Sequence, residues 1–355
     1  MSDETSPLDA FKAAAEEGAR KMAEFARGLQ LPDPGNLLAS FWPDEEAEAR
    51  RIEAAHPPSG RFIEVDGVKL HWIEQGAGRP VVFVHGAGGM VEDLLSSRFA
   101  PMVGANHRLI AIDRPGYGHS DRPRPELAGP EAQARLLHQA LAQLGVERPI
   151  LIGHSWGGAL VLAYAQEFPL DVAGVLVLAG WSHPAREAAL WVAGLPAAPV
   201  IGSLMSRALA PALAAGLARE IIAQLFAPEP VPAGFADFPV ELALRPSQLR
   251  ANAEDLAALN ADVARLRRHY KQIAVPVEIL TGGADKIVDP AAHGLRLARA
   301  VPHAGFQVLP DVGHMLHHTQ PEAVCAALAR LVARLPGERP GADRGSTTIG
   351  VTGNE

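Results

Sequence analysis

The sequence predicts an α/β protein built on a mostly parallel β-sheet, with a separate segment inserted into it. Short apolar runs such as Pro80–Val84 and Ile150–Ile152 are typical of parallel strands that are covered on both faces. These runs alternate with helix-like segments up to Gly180 and again from Val275. The residues between those two points lack this alternation, which indicates an insertion.

Length and composition limit which classes of protein this sequence can belong to. The 355 residues suffice for one large domain with an insertion or for two domains, and 48% hydrophobic residues predict a sizeable core. A net charge of -8 argues against nucleic acid as a partner. The single Cys325 excludes an internal disulfide, and no ligand cluster is visible, so we expect no metal or organic cofactor. The acidic start at Met1 lacks a signal segment, which predicts a cytoplasmic protein.

Residues 1–59 form a predicted helical N-terminal extension. Ser6-Pro7 is a typical helix start, and apolar residues then recur at spacings of three and four up to Leu29. A second short helix is predicted over 44–55. The extension carries twelve acidic and six basic side chains, which disfavours an anionic membrane surface. We therefore expect its apolar stripe to pack on the same chain or to form a homodimer.

The first strands are predicted to form a hairpin. Arg61–Asp66 and Val68–Glu74 alternate in polarity and flank Asp66-Gly67, a strong turn signal. Beyond the hairpin and the two apolar runs, four more segments read as strands: Arg108–Ile112, Ala173–Ala179, Val275–Leu280 and Phe306–Leu309.

A candidate nucleophile lies where a predicted strand meets a predicted helix. The segment from Gly153 to Gly157 reads Gly-His-Ser-Trp-Gly, and a turn this sharp leaves no room for Cβ atoms at its glycines. Ser155 would then be presented at the carboxyl end of the sheet, ready to attack an electrophile. A plain glycine turn with an incidental serine is the alternative.

A glycine loop follows the strand Pro80–Val84 and begins at His85. It can aim the backbone N–H of Ala87 at an anionic oxygen, together with the N–H of Trp156. A plain turn and a dinucleotide loop compete with this interpretation, but the spacing does not fit a dinucleotide motif. We expect His85 to be a structural hydrogen-bonding residue, and Asp113 and Arg114 in the next loop to tie that loop down.

Three motifs in this order resemble the α/β-hydrolase family: the His85 loop, the Asp113-to-Ser120 loop and the Ser155 turn. The resemblance covers roughly residues 61–336. It implies an eight-stranded, mostly parallel sheet formed by residues 60–180 and 273–336. It also implies a catalytic order of serine, acid and histidine, and so assigns Asp285 as the acid and His314 as the base. His317 and His318 are then expected to face solvent or the start of the last helix.

Residues 181–272 are predicted to form a mostly helical insertion, and the resemblance implies that it caps the active site as a lid. The stretch 188–218 is apolar enough to suggest a membrane span, but its prolines and its place inside a soluble fold argue against one. Trp181, Trp191 and Phe226 are candidate pocket residues, which favours a hydrophobic acyl or alcohol group. Residues 337–355 are polar and glycine-rich, and we expect a disordered tail.

The resulting hypothesis is a serine hydrolase of the carboxylesterase kind, acting on a small hydrophobic ester through an acyl-enzyme. The same residues would serve acyl transfer, perhydrolysis, or hydrolysis of a carbon–carbon or peptide bond. A non-catalytic binding protein on this fold also stays open. Epoxide hydrolases and haloalkane dehalogenases of this fold are disfavoured, because both use an aspartate where Ser155 stands.

Overall fold

The computed structural model describes residues 45–184 and 211–336. The predicted first helix, the part of the cap that contains Trp191 and the predicted tail lie outside these ranges. The chain divides into two units, Met1–Arg50 and Arg51–Glu355. The helix α1, Glu45–Ala55, begins in the first unit and ends in the second.

The second unit is organised by an eight-stranded sheet. The strands are β1 Arg61–Val65, β2 Val68–Gln75, β3 Arg79–Val84, β4 His107–Ile112, β5 Ile150–His154, β6 Gly174–Leu178, β7 Val277–Gly282 and β8 Gly305–Leu309. Their order in the sheet is β1-β2-β4-β3-β5-β6-β7-β8. β2 pairs with β1 and with β4 in the antiparallel sense, and every other neighbouring pair is parallel. The predicted sheet is therefore confirmed.

The predicted hairpin is present. Val65 pairs with Val68, and the two residues between them, Asp66 and Gly67, have φ angles of 50° and 70°. A two-residue turn with both φ angles positive matches the twist of the strands that it joins. This local turn fixes the register of β1 on β2.

Helices cover both faces of the sheet. Alternate strand residues point to opposite faces, so that Val82 and Val84 enter one apolar cluster and Val81 and Phe83 enter the other. Double coverage explains why the central strands are continuous apolar runs. The α-helices of the second unit are α2 Val91–Leu95, α3 Phe99–Gly104, α4 Pro130–Gln143, α5 Trp156–Glu167, α6 Pro211–Phe226, α7 Val240–Ala243, α8 Pro246–Leu266, α9 Arg296–Ala300, α10 Leu316–Thr319 and α11 Pro321–Ala333.

Short helical turns complete the fold: 3-10 turns at Pro125–Leu127, Ala233–Asp237 and Tyr270–Gln272, and a π-helical turn at Ala291–Leu295 that leads into α9. Between β6 and β7 the described residues hold the helices α6, α7 and α8 and two of the 3-10 turns, joined by short loops. In residues 45–184 and 211–336, no helix has both the length and the apolar character needed to cross a bilayer.

Candidate active site

The turn between β5 and α5 holds Ser155 in a strained backbone conformation. Its φ and ψ are 54° and -119°, and its N–H donates to the Leu178 carbonyl at 2.9 Å. Positive φ is costly for a residue with a side chain, and such strain persists only where the surroundings enforce it. A Cβ on Gly153 would lie 2.3 Å from the Gly157 carbonyl oxygen, and one on Gly157 would lie 2.3 Å from that of Val84. Both glycines are therefore required for this turn to pack.

The loops after β7 and β8 bring Asp285 and His314 together. His314 Nδ1–H donates to Asp285 Oδ2 at 2.8 Å, and both side chains are buried. Asp285 Oδ1 accepts the N–H groups of Ile287 at 2.8 Å and Val288 at 3.0 Å. Backbone donors thus fix one oxygen of the Asp285 carboxylate, and the other oxygen holds the His314 imidazole in one orientation.

Ser155 and His314 line the same cavity of about 190 Å³, together with the loop Gly86–Gly89. A Cβ on Gly86 would lie 2.8 Å from the Ser155 Cβ and 3.4 Å from its Oγ, so the loop lies directly against the serine side chain. Five predicted site residues, Ser155, Asp285, His314, Ala87 and Trp156, are therefore on or beside the loops at the carboxyl end of the sheet. This is the rim where open α/β sheets bind ligands.

His85 holds the glycine loop, as expected from the sequence. Its Nε2 accepts the N–H of Arg114 at 3.0 Å, so its Nδ1–H donates to the Gly86 carbonyl at 2.9 Å. Burial, reinforced by the Arg114 charge, lowers the pKa of His85 to about 4. A neutral His85 therefore joins two loops through one fixed tautomer.

Asp113 ties down its own loop, also as expected. Its Oδ2 accepts from His71 Nδ1 at 2.7 Å and from the His119 N–H at 3.0 Å, and its Oδ1 accepts from the Val91 N–H at 2.7 Å. Three donors from three segments account for the full burial of this carboxylate.

The cavity lining is mostly apolar, and Asn252 is a polar exception in the inserted segment. Trp181 lines the cavity, whereas Phe226 is fully buried with its ring centre 5.0 Å from that of Phe235, which does line it. Trp191 lies outside the described residues. Most of the other apolar lining comes from the segment between β6 and β7: Ala218, Ile221, Ile222, Leu225, Phe235, Phe238, Val240, Ala243, Leu244, Leu249 and Leu256.

The expectation that His317 and His318 face solvent or the start of the last helix is wrong. Both rings are buried in the separate short helix α10, and their Nε2 atoms hydrogen-bond to Asp93, at 3.1 Å and 2.8 Å. Burial alone would raise the pKa of Asp93, but these two histidines hold it well below its usual range. Asp93 lies in α2, far away in sequence, and no motif marks it as their partner.

Asp93, His154 and His317 are also close enough together to hold a metal ion, judged over the described residues. Both Asp93 oxygens, however, already accept hydrogen bonds from histidines. His154 Nε2–H in turn donates to the His314 carbonyl at 3.1 Å. Hydrogen bonding within the chain therefore satisfies the carboxylate without a metal ion. The cluster supports the loop that carries His314.

Comparisons with known proteins identify the class. The model of the alpha/beta hydrolase family matches residues 81–327, and the chain belongs to this family. The dihydrolipoyllysine-residue acetyltransferase component of an acetoin cleaving system from Pseudomonas putida is 31% identical over 329 residues, which cover 91% of this chain and 80% of the relative.

The chain is also similar to one further relative and to one solved structure. Lipase 1 of Psychrobacter immobilis is 27% identical over 70% of this chain and 76% of its own length. The solved structure of a thermophilic esterase from Thermogutta terrifontis superposes with a TM-score of 0.60 at 24% identity, over 77% of this chain and 98% of the esterase. At that identity the superposition shows the fold alone.

Proposed function

We propose that the protein is a serine hydrolase that cleaves carboxylic esters with a hydrophobic acyl or alcohol group. The observation that carries this proposal is the His314–Asp285 hydrogen bond at 2.8 Å, on the cavity that Ser155 also lines. A histidine held by a carboxylate on the same cavity as a strained serine supports this proposal, because such a set can activate a hydroxyl for acyl transfer. The lipase relative supports the same class of reaction.

In the proposed first half-reaction, His314 Nε2 takes the Ser155 hydroxyl proton while Oγ bonds to the ester carbonyl carbon. Asp285 stabilises the imidazolium that forms. The N–H groups of Ala87 and Trp156 bind the oxyanion, and the loss of one such donor typically costs about 3 kcal/mol of transition-state stabilisation. The carbon–oxygen bond of the ester then breaks, and His314 passes its proton to the leaving alcohol.

In the second half-reaction, a water molecule replaces the alcohol. His314 accepts its proton as the water oxygen bonds to the acyl carbon, and Ser155 leaves with that proton. The apolar walls of the cavity would bury a hydrophobic acyl or alcohol group by removing its surface from water. The substrate class follows from those walls, and the reaction class from the three polar residues.

Turnover of a p-nitrophenyl ester series tests the proposal. Ser155→Ala removes the nucleophile and is expected to lower kcat by at least about 10³-fold. Circular dichroism of the variant provides the control for folding. Wild-type turnover in a folded Ser155→Ala variant would contradict the assignment of Ser155.

Acyl transfer to an acceptor other than water is a second candidate, favoured by the acetyltransferase relative at 31% identity. The acyl-enzyme would be the same, and only the attacking group would differ. Addition of dihydrolipoamide to an ester assay distinguishes the two. A faster release of p-nitrophenol together with a new thioester would favour transfer, whereas free acid alone would favour hydrolysis.

A further inference from the structure

A fully buried carboxylate of the inserted segment reaches the loop beside Ser155. Asp255 belongs to α8, and its Oδ2 accepts from Arg114 Nη1 at 2.5 Å and from the Tyr117 hydroxyl at 3.0 Å. Its Oδ1 accepts from Arg122 Nη1 at 2.8 Å. Burial of one carboxylate with two guanidinium groups costs desolvation free energy. The contacts that these groups make therefore indicate what the carboxylate does.

Arg114 connects this carboxylate to the glycine loop. Its Nη2 donates to the Gly86 carbonyl at 3.0 Å, while its guanidinium lies 4.1 Å from the ring centres of both Tyr117 and Trp156. A guanidinium is planar and carries several donors in fixed directions, so a lysine cannot reproduce this set of contacts. The Arg114 side chain therefore connects α8 to the glycine loop and to Trp156, the residue after Ser155.

The Gly86 carbonyl belongs to the same rigid peptide unit as the Ala87 N–H, because a peptide bond is planar. Three donors hold that carbonyl: His85 Nδ1 at 2.9 Å, Arg114 Nη2 at 3.0 Å and the Gly89 N–H at 3.3 Å. The direction of the carbonyl fixes the direction of the N–H on the other side of the plane. Contacts made to Gly86 therefore aim the proposed oxyanion donor.

We infer that Asp255 is a positioning residue for the oxyanion hole. It orients Arg114, which holds the Gly86–Ala87 peptide with its N–H directed at the developing oxyanion. This inference rests on the proposed function. It adds that α8, an element of the predicted cap, completes the catalytic machinery in addition to covering the substrate.

Two arginines offer a matched pair of variants. Arg114→Met and Arg122→Met each remove one cation from Asp255 and leave the other in place, but only Arg114 contacts Gly86. Arg114→Met is expected to lower kcat and the rate of Ser155 labelling by a fluorophosphonate by about tenfold or more, with KM little changed. Arg122→Met is expected to keep both rates near wild type.

Asp255 itself is tested in the Arg122→Met background, where only one buried cation depends on it. The double variant D255L/R122M is expected to label Ser155 as slowly as Arg114→Met, because both lose the fixed guanidinium. Labelling is measured on protein that circular dichroism shows to be folded. If D255L/R122M does not fold, the Arg114→Met and Arg122→Met comparison decides alone.

The outcomes distinguish failure of the proposed function from failure of the role assigned to Asp255. Failure of wild-type protein to react at Ser155 would reject the proposed function and this inference with it. Normal labelling of wild type with equal rates for Arg114→Met and Arg122→Met would reject the inference alone. A lower melting temperature without a slower reaction would likewise assign Asp255 a purely structural role.

Discussion

Two buried histidine–aspartate pairs have nearly the same geometry in different settings. His314 donates to Asp285 at 2.8 Å, and His71 donates to Asp113 at 2.7 Å. His71 Nε2 also accepts the Gly60 N–H at 2.9 Å, so both of its ring nitrogens are used within the fold. His314 instead lines the cavity beside Ser155.

A hydrogen bond to a carboxylate therefore does not by itself make a histidine a base. A general base must also reach the group whose proton it removes. In the first pair the carboxylate uses only Nδ1 of His314, a residue that lines the cavity. In the second pair it completes a structural link between strand β2 and the Asp113 loop. Removal of Asp285 should therefore lower turnover, whereas removal of Asp113 should lower stability.

The largest expected effect is a loss of turnover when the carboxylate of the first pair, Asp285, is replaced. Asp285→Asn places an amide beside His314 Nδ1, which favours the wrong imidazole tautomer and leaves the imidazolium without its partner. We expect kcat for a p-nitrophenyl ester to fall by about 10⁴-fold. Steady-state kinetics measure this loss, and circular dichroism controls for folding. A loss of less than tenfold in folded protein would remove Asp285 from the mechanism.

The second pair should show the opposite pattern. One oxygen of Asp113 accepts from His71 and His119, and the other accepts from Val91. In Asp113→Asn the NH₂ group replaces one of these oxygens and must therefore face a hydrogen-bond donor. Because the site is fully buried, Asp113→Asn should cost about 2–4 kcal/mol of unfolding free energy.

Urea unfolding measures the cost of Asp113→Asn. The kcat of the folded variant should stay close to wild type, because Asp113 contacts the loop and not the cavity. Unchanged stability, or a loss of kcat as large as that of Asp285→Asn, would remove the distinction between the two pairs.

Local patterns in the sequence predicted most of the fold. The Asp66-Gly67 turn, the apolar run before Ser155 and the closely packed Gly153 and Gly157 each depend on neighbours within a few residues. Short-range sterics decide such features, so a sequence alone reveals them. Asp285 was assigned through family resemblance, since spacing alone gives no reason for it to meet His314.

Long-range pairs of charged residues could not be predicted in the same way. Arg114 and Asp255 are 141 positions apart, and Asp93 and His317 are 224 positions apart. Which buried acid meets which base depends on how α2, α8 and α10 pack after the sheet has formed. Composition does not reveal that packing. For this reason the sequence places His317 and His318 toward solvent or the start of the last helix, whereas both are buried against Asp93.

A third buried histidine, His85, differs from both pairs because its hydrogen-bond partners are neutral groups. His85 bonds only to backbone in the described hydrogen bonds, and its folded pKa of about 4 lies below the ordinary value of 6.5. The unfolded chain therefore takes up a proton first as the pH falls. Stability that is intact above pH 6.5 is lost progressively between pH 6.5 and about 4.

Between pH 7 and pH 5 this one group should cost about 2 kcal/mol of unfolding free energy. His85→Gln keeps a donor and an acceptor at the site but cannot titrate, so its stability should fall by that much less over the same interval. Urea unfolding of both proteins at the two pH values measures the difference, and the other buried histidines cancel because both proteins contain them. Equal losses would mean that His85 binds a proton as readily in the folded protein as in the unfolded chain. The neutral link between the glycine loop and Arg114 would then be the wrong description.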